Sequence, residues 1–241
     1  MSYLTTNTLL YIGLFYLVPL ILGIYSQYKV THTFNKYSKV SSSSNISASE
    51  FAKKLLQTAN INDINITKCS GSLTDHYNPK KQYIALSETV YNSTSVASLG
   101  VVAHEIGHVL QYKNNYKPIK FRQFLYPILN FSNKFMWLIL LGGLIISIFV
   151  PTILNVGEIM LLIFIAIYGL SALFSLVTLP IEKNASKRAL SILESTNTLN
   201  DYELEQAKSV LDAAALTYVA SIVSSLLVLL RLILVFKSNR D

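Results

Sequence analysis

The 241-residue chain is 51% hydrophobic and only 14% charged, with a formal net charge of +7, and its mean hydropathy is +0.42. That balance excludes one ordinary soluble domain and requires part of the chain to sit in lipid. The basic residues flank apolar segments and form no tract interleaved with nucleic-acid-reading aromatics, so anionic lipid headgroups, and not nucleic acid, are the expected counter-charge. The single cysteine, Cys69, cannot close an internal disulfide and reads as a small buried hydrophobe.

In chain order, the first element is an apolar stretch at 8–25 inside an uncharged N-terminal segment. It lacks the basic flank and small-residue cleavage site of a secretory signal and reads as an uncleaved anchor. Lys29, Lys36 and Lys39 lead into a serine run at 41–44, a loop or linker. Ser47 and Glu50 form a capping-box pattern ahead of Phe51, Leu55 and Leu56, which predicts a helix of about three turns. Residues 64–68 and 82–86 read as short strands on either side of a turn at Tyr77, Asn78 and Pro79. Asn92 to Ser95 supply caps for a helix running to about Tyr112, ended by Asn114, Asn115 and Pro118. The mixture of base and aromatic at Lys120, Phe121, Arg122, Phe124 and Tyr126 predicts a piece lying on the membrane surface. Further stretches at 135–154, 159–179 and 213–236 have about the length a helix needs to cross the hydrocarbon layer.

The segment 101–111, VVAHEIGHVLQ, carries the chemistry. Helical residues four apart are rotated by only about 40° and rise about 6 Å, so His104 and His108 project from one face and can grip one ion. Glu105 points about 100° away, which suits a general base acting on a water better than a third ligand. A catalytic zinc wants one more protein ligand and one open position. The candidates are His32, His76, Asp75, Glu88 and Glu182. The short connection at 151–158 makes the second and third spans a hairpin whose open ends return to one membrane face, which favours Glu182. Ala185 and Ala189 beside it allow another helix to approach closely.

Five segments in order, LTDHYNP (73–79), IALSETVYNSTSVA (84–97), AHEIGHVLQ (103–111), LPIEKNASKRAL (179–190) and LDAAALTYVA (211–220), resemble the YugP-type bacterial membrane neutral zinc metallopeptidase family. The likeness covers nearly the whole chain and is more distantly similar to HtpX-like gluzincins. It implies one zinc per chain held by His104, His108 and Glu182, with Glu105 as general base. Many gluzincins carry aspartate at the position of Ser186, where it orients a ligand histidine; here either Ser186 or Asp75 takes that place in the outer shell.

The expected fold class is therefore an α-helical integral membrane protein of about four transmembrane helices with a small α+β gluzincin-like zinc-peptidase domain. Its expected divisions are an anchor (1–28), a cytoplasmic peptidase part with the zinc helix and interfacial segment (29–134), a transmembrane hairpin (135–179), a helical segment with the third ligand (180–212), and a last span with its tail (213–241). The expected activity is peptide-bond hydrolysis on a peptide or protein substrate, membrane proteins among the candidates. The alternative is a membrane scaffold or chaperone-like binder braced by a structural zinc. A structural zinc favours four protein ligands, often with cysteine, and that counts against the alternative. The near absence of ionisable residues in mid-span counts against a transporter. His76 is read as either a catalytic contact to substrate or oxyanion or a local structural residue. Strand 82–86 is a candidate sheet edge for an extended substrate. Lys29, Lys36, Lys39, Lys120, Arg122, Lys134, Lys183, Lys187 and Arg188 would share the zinc side, which the positive-inside rule puts in the cytoplasm; Lys237 and Arg240 run against it.

Overall fold

The computed structural model describes residues 10–149 and 156–238. The start of the first apolar stretch, most of the hairpin connection and Arg240 lie outside them. In chain order the elements are a π-helical stretch, Gly13–Leu17, then α1 (Val18–Tyr37), α2 (Ala48–Thr58), β1 (Asn65–Cys69), β2 (His76–Asn78), β3 (Tyr83–Ser87), α3 (Glu88–Tyr91), α4 (Val96–Lys113), α5 (Lys117–Phe149), α6 (Val156–Ser195) and α7 (Asp201–Ser238). They divide into two compact units, one formed by Met1–Ile24, Lys120–Leu179 and Tyr218–Asp241, the other by Tyr25–Ile119 and Pro180–Thr217.

The first unit consists of long apolar helices. Among the described residues, four helices are long and apolar enough to cross a membrane: Leu10–Tyr37, Lys117–Gly143, Val156–Ser195 and Asp201–Ser238. Leu20, Ile21, Phe124, Trp137, Leu138, Ile159 and Leu230 are all exposed, an apolar surface that suits lipid and not water. Helices touch through small or polar groups: a Cβ on Gly143 would overlap the sulfur of Met160, and Ser175 Oγ lies 3.2 Å from Ser221 Oγ. Arg231 places its guanidinium 4.6 Å from the Tyr16 ring centre, a contact that shields an expensive charge in an apolar helix. The segment expected on the membrane surface forms the first part of continuous helix α5, with Pro127 inside it. Phe121, Phe124 and Tyr126 are exposed along it.

The second unit has a mixed core. Ser47 caps α2 by accepting from the Glu50 N–H while the Glu50 carboxylate accepts from the Ser47 N–H, the reciprocal box the sequence predicts. Phe51, Leu55 and Leu56 of α2 pack with Ile84 and Leu86 of β3, with Leu99, Val102, Ile106 and Val109 of α4, and with Leu193, Val210 and Leu211. The sheet order is β1-β3-β2. β1 runs parallel to β3 with Asn65 opposite Tyr83, and β2 runs antiparallel with His76 opposite Ala85. Two expectations change here. Tyr77 and Asn78 are strand and not turn; the reversal comes just after them, where Asn78 Oδ1 accepts from the N–H of Lys80 at 3.1 Å and of Lys81 at 3.0 Å and Gln82 takes a φ of 52°. β3 is the central strand, so it offers no free edge to a substrate. Cys69 is half-buried and free, with Sγ 3.4 Å from Thr74 Oγ1.

Candidate metal centre

Helix α4 starts at Ser95, whose side chain accepts from the Ser98 N–H. Its apolar residues Leu99, Val102, Ile106 and Val109 recur at helical spacing and are fully or almost fully buried, which leaves the face bearing His104 and His108 for α6. The two helices come together because Gly107 has no side chain: a Cβ there would sit 2.6 Å from the Ala185 carbonyl oxygen. On α6, Ala185 and Ala189 are fully buried. The close approach brings Glu182 over the histidines.

Glu182 Oε2 lies 3.2 Å from His104 Nε2 and 3.3 Å from His108 Nε2. One ligand atom from each of the three residues lies within 4.8 Å of the others. Ligand atoms around a tetrahedral zinc with bonds of about 2.0–2.2 Å stand about 3.3 Å apart. Two nitrogens and one carboxylate oxygen also form a donor set that suits zinc, so the residues fit the ion. Burial alone would push Glu182 up, but its contacts with His104 and His108 outweigh that and hold its carboxyl well below the usual range. For His108, burial opposes protonation while Glu182 outweighs it and pushes the imidazole up. These residues form one coupled cluster of charge, and a divalent cation would fit among them.

Glu105 is buried beside the cluster, and its Oε2 has no hydrogen-bond partner. Such an orphaned buried acceptor is rare in native proteins. Burial pushes its carboxyl up, opposed by His108 and His104. A carboxylate in this state is a ready proton acceptor.

The outer contacts differ between the two histidines. His104 Nδ1 lies 3.2 Å from Ser186 Oγ, and His108 Nδ1 lies 3.0 Å from Gln111 Oε1. Asp75, the other candidate for orienting a histidine, gives its two oxygens to Ser87 instead, at 2.7 Å to the N–H and 2.9 Å to the hydroxyl. It ties β3 to the segment before β2, and burial pushes its carboxyl up against those bonds. His76 stays outside the cluster: it is exposed, its Nδ1 is 2.9 Å from the Thr74 carbonyl, and its ring meets Tyr83 edge-on. His32 stacks on Tyr28 in α1, and Glu88 is exposed at the start of α3. Gln111 and Gly107 escaped the sequence reading. Gln111 could have been found as a polar residue three positions after His108, on the same helix face.

Two helix histidines and a distant glutamate placed to hold one metal ion, in a chain with four helices long and apolar enough to cross a membrane, are the features of a membrane metalloprotein. The family described as "Putative neutral zinc metallopeptidase" matches residues 12–237, and the chain belongs to it. A relative from Bacillus subtilis (strain 168), named "Putative membrane protease YugP", is 36% identical over 220 residues, covering 91% of this chain and 94% of the relative. No solved structure matches.

Proposed function

We propose that this protein is a membrane-bound zinc endopeptidase of gluzincin type. His104, His108 and Glu182 hold one zinc per chain, and Glu105 is the general base. The observation that carries this reading is the convergence of the three ligand atoms at zinc-like separations beside an unpartnered buried carboxylate oxygen. Zinc held there supplies Lewis-acid polarisation of a carbonyl and makes water acidic enough to attack at neutral pH. Glu105 Oε2 accepts the proton of the attacking water and delivers it to the leaving amine, so the carboxylate is regenerated in each turnover. The buried surroundings keep its conjugate acid available for that second step. Substrates are peptides or proteins, membrane proteins among them. The lysines and arginines that flank the spans on the zinc side support a cytoplasmic site.

Purified protein in detergent should cut an unstructured protein substrate, stop cutting when a chelator strips its metal, and recover on addition of one equivalent of zinc. Cleavage that continues unchanged in the stripped protein would contradict the proposal.

A further inference from the structure

We infer that Gln111 is a positioning residue for the metal site, holding the His108 imidazole with its proton on Nδ1 so that Nε2 is the donor atom facing Glu182. This rests on the reading of His104, His108 and Glu182 as a zinc site.

Gln111 is fully buried, and one end of its amide lies 2.8 Å from the Ile181 carbonyl oxygen. A backbone carbonyl only accepts, so that end is the NH2 group. The same NH2 donates to Asn184 Oδ1 at 3.0 Å. Asn184 is oriented in turn by Arg188, whose Nε–H donates to the same oxygen at 2.9 Å; an arginine nitrogen never accepts, so the Asn184 amide has one orientation available. The carbonyl end of Gln111 therefore faces His108 Nδ1 at 3.0 Å. Two lone pairs at that distance repel, so the ring donates from Nδ1; Nε2, 3.3 Å from Glu182 Oε2, is then the nitrogen that would offer its lone pair to a bound metal. With the amide fully buried, water cannot take over the contact.

His104 has no such device. Its Nδ1 meets the Ser186 hydroxyl, which rotates and both donates and accepts, so it selects no tautomer. The site is thus asymmetric: a row of Arg188, Asn184 and Gln111 fixes one histidine, and a hydroxyl merely touches the other.

The test uses Gln111→Met, which keeps the length of the side chain and removes its acceptor. Zinc affinity, read by competition with a chromophoric chelator, should fall about 10–100-fold. Arg188→Ala, at the outer end of the row, should give a smaller loss in the same direction. In zinc-loaded wild type carrying 15N-histidine, only four imidazoles contribute, and the His108 Nδ1–H should exchange with water more slowly than that of His104; this reading needs no variant. Gln111→Met should lose that protection, a change that a packing role would not produce. Wild-type zinc affinity in Gln111→Met, or equal exchange of the two ring protons in wild type, would overturn the inference. Failure of wild type to bind zinc at all would overturn it too, by a different route, since the metal-site reading itself would then fall.

Discussion

Glu182→Gln is expected to lower zinc affinity by at least about 100-fold, beyond the 10–100-fold that loss of an outer hydrogen-bond partner costs. Glutamine matches the shape of glutamate but carries no charge, so the helix contacts around Ala185 persist while the only carboxylate oxygen among the three ligand atoms is lost. The two imidazoles would then be left without a ligating anion to balance a divalent ion. His76→Ala is the control: its ring is exposed and bonded to Thr74, so zinc affinity should match wild type. Chelator competition on the two purified variants distinguishes them, and equal affinities would remove Glu182 from the ligand set.

Glu105→Gln is expected to abolish peptide hydrolysis by about 10²–10⁴-fold while the bound zinc stays at its wild-type level. Glu105 does not share the ligand cluster, so the metal has no need of it. What the substitution removes is a group able to take and return a proton. The buried oxygen at Oε2 would be replaced by an amide, either end of which is useless as a base. Metal analysis combined with an activity assay on the same sample checks both halves. If the variant cuts as fast as wild type, a different base operates; if neither protein cuts and zinc removal unfolds both, the metal is a brace and the scaffold reading gains.

Much of the site was legible because its components are local. The apolar spacing of Leu99, Val102, Ile106 and Val109 announces the helix, and the four-residue spacing of His104 and His108 sets them on one face. Glu182 came from a topological argument and from the resemblance, since nothing local to it marks a ligand. Long-range pairing was not legible. The position of β3 in the middle of the sheet depends on Asn65 meeting Tyr83 and His76 meeting Ala85, and alternation within one strand does not reveal how many neighbours it has. The partner of Asp75 was not legible for a similar reason: its charge suggests a histidine, and the fold brings the Ser87 N–H to it. Nothing local to Gly107 marks it, and its purpose appears only with the Ala185 carbonyl beside it.

The most direct test of the account is zinc-edge X-ray absorption on the loaded wild-type protein. A first shell of nitrogen and oxygen only, at about 2.0–2.2 Å and with two imidazoles, is the expected result. A sulfur neighbour at about 2.3 Å, which only Cys69 or a methionine could supply, or a shell with a single imidazole, would contradict it.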